Sequence, residues 1–107
     1  MSQLKLKIPH DKKNLLVREF YCLMQPNKRK IVDILTKANK PLFIKEIARK
    51  LKLTHRTTSY HLLDLMNFGF VTSVYLENKV GRVSKFYTIT PKIHKVKQKI
   101  IRELDQK

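Results

Sequence analysis

The sequence is poor in the residues that build disulfide frameworks, phosphate loops and catalytic sites. It has one cysteine, two glycines and eight acidic residues in a chain of 107. A single thiol permits neither an internal disulfide nor a multi-thiolate metal site within one chain. Two glycines cannot supply a phosphate-cradling loop, and neither paired carboxylates nor a nucleophile-base set can be found. The composition therefore predicts a protein that is not an enzyme.

The remaining potential metal ligands are scattered. None of the four histidines has a spacing typical of metal ligands, and they are His10, His55, His61 and His94. We expect no metal and no cofactor. Cys22 falls within an apolar helical pattern, which favours a buried thiol, with a redox switch as the alternative.

Long apolar runs are absent. No stretch approaches the roughly 20 apolar residues that a membrane span needs, so no membrane partner is expected. The first residues, MSQLKLKIPHDKK, contain no apolar segment long enough for a secretory signal. These features predict a protein of the prokaryotic cytoplasm, and the abundance of Lys and Ile with little Glu suggests an archaeal or archaeal-virus source.

Basic residues far outnumber acidic ones. Lys and Arg number 24 against 8 Asp and Glu, for a formal net charge of +16. Such a surplus favours a polyanionic partner, because each neutralised phosphate releases counterions. Double-stranded DNA is the predicted partner, and an acidic membrane surface or acidic protein is the alternative. Adaptation to heat is another possible cause of a high Lys content, but it usually enriches Glu as well, and Glu is scarce in this sequence.

The apolar periodicity predicts four helices, a β-hairpin and a last helix. Asp11 and Asn27 are the expected caps of the first two helices, and Leu42-Phe43 could form one strand rung. Residues 1–8 alternate, as in a weak strand or a loose arm. The later predicted elements are a helix over 44–51, a helix from Thr54 to about Phe68 followed by a left-handed Gly69, strands over 70–76 and 83–90, and a helix from Pro91.

The helices over 44–51 and 54–68 are joined by a very short turn. The second is polar at its start and apolar further along, as in the recognition helix of a helix-turn-helix. The candidate contacts to DNA are Thr54, His55, Arg56, Thr57, Ser59, Tyr60 and His61. Arg56 is the strongest candidate, because a guanidinium can bind guanine O6 and N7 together. For His61, packing against a neighbouring helix is an equal alternative.

Residues 28–90 resemble the winged helix-turn-helix of the arsenic-repressor-like (ArsR) and multiple-antibiotic-resistance-like (MarR) regulators. The matching features are IxxIAxxL, the run TxxTxSYHLxxL, then GFV, and GR followed by FYTIT. The resemblance implies that the helix from Thr54 recognises DNA, that the hairpin is the wing, and that the flanking helices form a homodimer. Metal-sensing members of the arsenic-repressor-like family usually carry paired cysteines or His/Asp clusters, and Cys22 stands alone.

Further cations flank the predicted recognition helix. A basic band beside it, suited to the DNA backbone, consists of Lys45, Arg49, Lys50 and Lys52. The wing carries Lys79, Arg82 and Lys85. Such a hairpin can lie along the backbone or reach into the minor groove, where Arg is favoured if the groove is narrow.

The predicted fold is mostly α with a small antiparallel β-hairpin, a winged helix-turn-helix with N- and C-terminal dimerisation helices. One domain spans 1–107, divided into an arm and helix (1–25), a winged-helix core (27–90) and a C-terminal helix (91–107). The predicted dimer interface consists of Leu16, Phe20, Leu23, Ile93, Val96, Ile100 and Leu104. The predicted function is a sequence-specific repressor that acts as a homodimer on a pseudo-palindromic site. A non-specific architectural protein and a protein-interaction winged helix are the alternatives, and the sequence indicates no particular effector.

Overall fold

The computed structural model describes the backbone of residues 10–105 and the side-chain surroundings of residues 15–99, 101 and 102. The predicted order of elements is confirmed. The expected strand or arm over residues 1–8 lies outside the described residues. The elements are α1 (His10–Met24), α2 (Pro26–Ala38), α3 (Ile44–Leu51), α4 (His55–Asn67), β1 (Val71–Glu77), β2 (Val83–Ile89) and α5 (Lys92–Asp105).

The starts of the first two helices differ from the prediction. Asp11 lies inside α1, which already includes His10, and so does not cap this helix. Asn27 lies inside α2, and the residue that flanks this helix is Gln25, with extended backbone (φ −66°, ψ 129°). Extended backbone is what a residue before proline prefers, and Pro26 suits a first helical turn because it has no N–H to satisfy. Proline geometry therefore sets this boundary rather than a side-chain cap.

Helix α2 ends at Ala38, just before a left-handed residue. Asn39 adopts a left-handed conformation (φ 52°), and its N–H donates to the carbonyl oxygen of Leu35 at 3.3 Å. Asn tolerates this region better than most residues. Leu42 then exchanges two backbone hydrogen bonds with Tyr87, of 2.9 and 2.8 Å, and so adds the predicted single rung to the hairpin.

The turn between α3 and α4 is closed by a backbone motif. Lys52 is left-handed (φ 61°), and the N–H of Leu53 donates to the carbonyl oxygen of Ala48 at 3.1 Å. This 6→1 bond is typical of a Schellman ending, usually built with glycine. Thr54 caps α4 as predicted, its hydroxyl oxygen accepting the N–H of Thr57 at 3.1 Å. Gly69 ends α4 in the predicted left-handed conformation (φ 82°).

The strands β1 and β2 form an antiparallel hairpin in which Val71 pairs with Ile89 and Glu77 with Val83. The base of the hairpin packs into the protein, since Val71 and Tyr87 are buried. Its far end is exposed, so the hairpin projects from the helical body as a wing.

One apolar core joins all the elements. Thr58 is buried with it, and its hydroxyl donates to the carbonyl oxygen of Thr54 at 2.8 Å, which satisfies the polar group. The buried apolar residues are Cys22, Leu23, Ile31, Val32, Leu35, Leu42, Ile47, Ala48, Leu62, Leu65, Phe70, Val71, Tyr87, Ile93 and Val96.

Helix α5 packs against α1 of the same chain. Lys92 forms an ion pair of 2.8 Å with the buried Glu19 and donates to the carbonyl oxygen of Phe68. The stripe on α5 that is predicted to contact a second chain is therefore already covered: Ile93 and Val96 are buried. Over the described residues, no helix is long and apolar enough to cross a membrane.

Candidate nucleic-acid interface

The first two turns of α4 present a polar surface. His55, Arg56, Thr57, Ser59 and Tyr60 are all exposed there. The opposite face of the helix is buried through Thr58, Leu62 and Leu65, which fixes the rotation of α4 about its own axis. The side chains singled out as candidate base contacts therefore lie together on one outward surface, as the helical periodicity predicts.

Thr54 is exposed but already engaged. Its hydroxyl oxygen caps α4 and also bonds the Thr57 hydroxyl at 3.0 Å. The main contribution of Thr54 is therefore to start the helix and to orient Thr57 beside Arg56.

His61 is half-buried on the side of α4 that faces α2. Burial lowers the pKa of this imidazole, the nearby charge of Lys28 lowers it further, and Asp64 acts in the opposite direction. His61 is therefore favoured in its neutral form near pH 7. This position is closer to the packing alternative than to a side chain directed at DNA.

An ion pair between a buried lysine and an exposed aspartate, which the sequence did not predict, links α2 to α4. Lys28 is 5% exposed, and its ammonium lies 3.3 Å from a carboxylate oxygen of Asp64. The ammonium also donates to the side-chain oxygen of Gln25. Lysine is rarely buried without such partners, because the lost hydration of its charge must be replaced.

A signal for this site exists in the sequence. Lys28, Ile31, Val32 and Leu35 follow the spacing i, i+3, i+4, i+7, so the core-facing stripe of α2 extends back onto a lysine. Glu19 likewise lies on the core-facing stripe of α1, three residues after Leu16 and four before Leu23. A charge on a buried stripe indicates that an opposite charge lies nearby, although the pattern does not name it.

The basic band of α3 and the following turn lies beside α4. All four of its members are exposed: Lys45, Arg49, Lys50 and Lys52. Glu46, on the same helix, accepts a hydrogen bond from the backbone N–H of Phe43 at 3.2 Å and so supports the start of α3. Within the described part of the chain, the ion pairs are Lys28–Asp64 and Lys92–Glu19, so no close carboxylate neutralises the band.

The wing adds exposed cations at and near its tip. Lys79 and Arg82 lie in the loop between the strands, and Lys85 lies on β2. The ammonium of Lys85 is 5.4 Å from the ring centroid of Tyr87, which directs this side chain back along the strand. Lys79 and Arg82 are thus the cations carried furthest from the helical body.

The residues predicted to form a dimer interface divide into three groups. Leu23, Ile93 and Val96 are buried within a single chain, which leaves them little surface for contact with a second chain. Leu16 is half-buried against the core, and Phe20 is partly exposed. The side chains of Ile100 and Leu104 lie outside the described set.

An apolar groove lies between α1, α2 and α5, next to these residues. Its volume is about 280 Å³. Phe20, Met24 and Ile101 combine a position in its lining with substantial exposure. This groove, unlike the stripe of Ile93 and Val96, leaves apolar side chains accessible on a single chain.

Cys22 is buried, as predicted, and burial raises the pKa of its thiol. A protonated and covered thiol is a poor nucleophile. Among the described residues, no three His, Cys, Asp or Glu side chains come close enough to hold a metal ion.

Comparison with known proteins is consistent with this geometry. Residues 25–73 match the model of a family described as bacterial regulatory protein, arsR family. That segment contains α2, α3, α4 and the first part of β1. No curated protein sequence matches the chain.

Solved structures share the fold at low sequence identity. The reduced form of the transcriptional regulator YodB from B. subtilis is 20% identical, with a TM-score of 0.66 over 92% of this chain and 90% of that one. A protein from Methanosarcina mazei Go1, named a possible transcriptional regulator, is 12% identical, with a TM-score of 0.63 over 98% and 89%. A homodimeric winged helix-turn-helix DNA-binding domain from Mycobacterium bovis is 17% identical, with a TM-score of 0.60 over 94% and 91%.

The fold and the exposed face of α4 define the class of protein, a winged helix-turn-helix. Within that fold, residues 25–73 are similar to the arsR family of bacterial regulatory proteins.

Proposed function

We propose that this chain is a sequence-specific repressor that binds a pseudo-palindromic DNA site as a homodimer, in the cytoplasm of a prokaryotic cell. The observation that carries the proposal is the exposed polar start of α4, flanked by un-neutralised cations on α3 and on the wing. Base edges in the major groove require hydrogen-bonding side chains, and the surrounding phosphates require cations.

Roles can be assigned residue by residue. Arg56 binds a guanine edge, with Thr57 and Tyr60 beside it and His55 and Ser59 at the margins of the same surface. Thr54 and His61 hold the helix more than they read bases. The basic band, Lys45, Arg49, Lys50 and Lys52, binds phosphates and so sets affinity without choosing sequence.

The homodimer is proposed through the apolar groove. A hydrophobic groove of about 280 Å³ lies between α1, α2 and α5, with the exposed Phe20, Met24 and Ile101 on its lining. The Mycobacterium bovis domain with this fold is a homodimer, which supports the same assembly here. Two-fold symmetry then places two copies of α4 on one face of the duplex, and an inverted repeat follows. Repression follows if the site overlaps a promoter.

The test is selection of bound duplexes from a random pool at about 150 mM salt, which suppresses non-specific binding. We expect one enriched inverted repeat. Arg56→Ala should relax the preference at one base pair per half-site and cost about 1–3 kcal/mol on the preferred sequence. Lys45→Ala is the matched control: it should weaken all sequences alike and lower the salt slope by about 0.9.

An unenriched pool combined with tight binding at low salt would favour the architectural alternative. Repression itself is tested by transcription in vitro from a promoter that carries the selected site. Added protein should reduce the transcript, and an increase would show that the protein activates instead.

A further inference from the structure

One face of α5 carries cations that the proposed recognition surface does not use. The residues of this face are all exposed and follow the spacing i, i+3, i+4, i+7, and they are Lys95, Gln98, Lys99 and Arg102. The buried side chains of the same helix, Ile93 and Val96, lie on its other side. We call the exposed set the outer stripe of α5.

Helix electrostatics oppose the charges of the outer stripe. Lys95 and Lys99 are four residues apart, and Lys99 and Arg102 are three apart, spacings at which like charges on a helix repel. The first turn of α5 contains no acidic residue, although the positive end of a helix dipole favours one there. Glu103 and Asp105 come only at the end of the helix. Because an ordinary solvated helix face mixes the two signs of charge, this arrangement favours compensation by an external anion.

No described carboxylate is paired with the outer stripe. Among the residues whose side chains are described, the ion pairs are Lys28–Asp64 and Lys92–Glu19. Lys92, at the start of α5, is turned inward, because Glu19 and the carbonyl oxygen of Phe68 both accept its ammonium. The cations of the outer stripe therefore differ from Lys92 in facing solvent.

The outer stripe and the polar start of α4 lie on opposite sides of the helical body. Helix α5 packs against α1, α1 against α2, and α2 against α4. The outer stripe faces away from this stack at one end, and the polar start of α4 faces away from it at the other. Where α5 approaches α4, Lys92 meets Phe68, which lies about 18 Å along the helix axis from Arg56. A duplex bound at the start of α4 therefore leaves the outer stripe open to another partner.

The chemistry of the outer stripe favours DNA over other anionic partners. A helix that lies on a membrane directs apolar side chains into it, whereas Ile93 and Val96 of α5 are turned into the core. A protein interface is centred on apolar or aromatic anchors, and the outer stripe contains none. Duplex DNA requires neither feature, because cations alone bind its phosphates. From Lys95 to Arg102 the stripe spans about 10 Å, over which one DNA strand presents about three phosphates.

We propose that the outer stripe of α5 binds the phosphate backbone of a second duplex, so that the protein bridges two DNA segments. The inference rests on the proposed binding of DNA by α4 and goes beyond it, because the α5 surface chooses no sequence. In the proposed dimer, the contact between chains involves Ile101, which lies to the side of the outer stripe. Both copies of the outer stripe thus stay exposed while the two copies of α4 hold an inverted repeat.

The experiment measures the capture of one duplex by another. A duplex of about 30 base pairs that carries the selected inverted repeat is immobilised and saturated with protein, and a labelled duplex of unrelated sequence is added at about 50 mM salt. Because the inverted repeat occupies both copies of α4, capture of the labelled duplex reports a further surface. We expect the wild-type protein to capture it, with a salt slope of about −2.7 for three phosphate contacts.

Two matched variants each remove three exposed cations. The α5 variant should lower capture by about tenfold or more while the affinity for the immobilised site changes by less than about twofold, and it combines Lys95→Gln, Lys99→Gln and Arg102→Gln. The control variant should capture the labelled duplex as the wild-type protein does, and it combines Arg18→Gln, Lys30→Gln and Lys37→Gln. Because all of these positions are exposed, the unfolding midpoint and the dimer mass should be the same for both variants.

Three results would overturn the proposal. Capture by the α5 variant at the wild-type level would show that the outer stripe does not bind DNA, and equal loss of capture in both variants would show an effect of net charge alone. A wild-type protein that held its site and captured nothing would be the third. Each of these results leaves the sequence-specific function intact, because the selection measures that function independently.

The second surface can also be tested if the selection enriches no sequence. The immobilised duplex then has a random sequence, and the same three proteins are compared at the same salt concentration. Loss of capture confined to the α5 variant would sustain the second surface while the sequence-specific function failed.

Discussion

At the scale of single residues, Lys52 combines two requirements that oppose one another. Its backbone is left-handed (φ 61°), a conformation that glycine adopts without penalty and that costs lysine roughly 1–2 kcal/mol. Its side chain is exposed in the basic band beside α4. Lys52 thus lowers stability through its backbone while its side chain adds one charge to the proposed phosphate-binding band.

Lys52→Gly should therefore stabilise the fold and weaken DNA binding. We expect the free energy of unfolding to rise by about 0.5–1 kcal/mol, after allowing for the greater freedom of glycine in the unfolded chain. The salt slope of DNA binding should fall by about 0.9, the loss of one phosphate contact. Urea unfolding and binding titrations at several salt concentrations measure the two effects. Lys50→Ala, in the same band but in regular helix, should lower the slope without the gain in stability.

The Lys28–Asp64 pair is asymmetric, because Lys28 is buried while the side chain of Asp64 is 55% exposed. Removing Asp64 leaves a buried charge without its partner, whereas removing Lys28 leaves a carboxylate that water can solvate. The two partners of one ion pair should therefore differ in what their loss costs.

Asp64→Asn should destabilise the protein by about 1–2 kcal/mol, less than for a fully buried pair because solvent screens the carboxylate. Lys28→Met, which keeps most of the volume, should be neutral or slightly stabilising. Urea unfolding at neutral pH compares the two variants. If both variants lost the same free energy of unfolding, the stabilisation would come from the contact between the two side chains and not from relief of the desolvation of Lys28.

At the scale of the elements, boundaries were predictable wherever a local chemical device sets them. Thr54 caps α4 and Gly69 ends it, as their residue types indicate. The start of α2 was mispredicted because two local rules compete there: Asn27 is a good capping residue, but Pro26 fixes φ one position earlier. The fixed φ of the proline therefore overrides the capping preference of the asparagine.

Which surface an element buries was harder to predict, because periodicity identifies a stripe and not its partner. The stripe of Ile93 and Val96 on α5 is real, but it packs in the core of its own chain. The lysine on the stripe of α2 shows the same limit, since its partner Asp64 lies 36 positions further along the chain. The polar face of α4 was predictable because its polar and apolar faces belong to the same helix. One stretch of sequence therefore shows both of them.

At the scale of the whole molecule, the proposed dimerisation and the net charge of the chain act against each other. Each chain carries a formal net charge of +16, and exposed lysines and an arginine cover much of α5 around Ile101. Two such chains repel, and salt screens the repulsion. Added salt should therefore strengthen the proposed dimer over the same range in which it weakens DNA binding.

Ile101→Glu should weaken the dimer by placing a charge in the apolar groove between α1, α2 and α5. Ile101 is 58% exposed in the single chain, so the fold itself should tolerate the change. Lys99→Gln alters the net charge by the same single unit and lies on the far side of α5, which makes it the matched control. Sedimentation equilibrium should give a dimer for the wild-type protein and for Lys99→Gln, and a monomer for Ile101→Glu at micromolar concentration.

On DNA, the monomer should lose its dependence on half-site spacing while keeping the base preference of each half-site, because α4 is unchanged. A dimer that survived Ile101→Glu with its spacing preference intact would place the interface elsewhere on the chain, and the groove would then need another occupant.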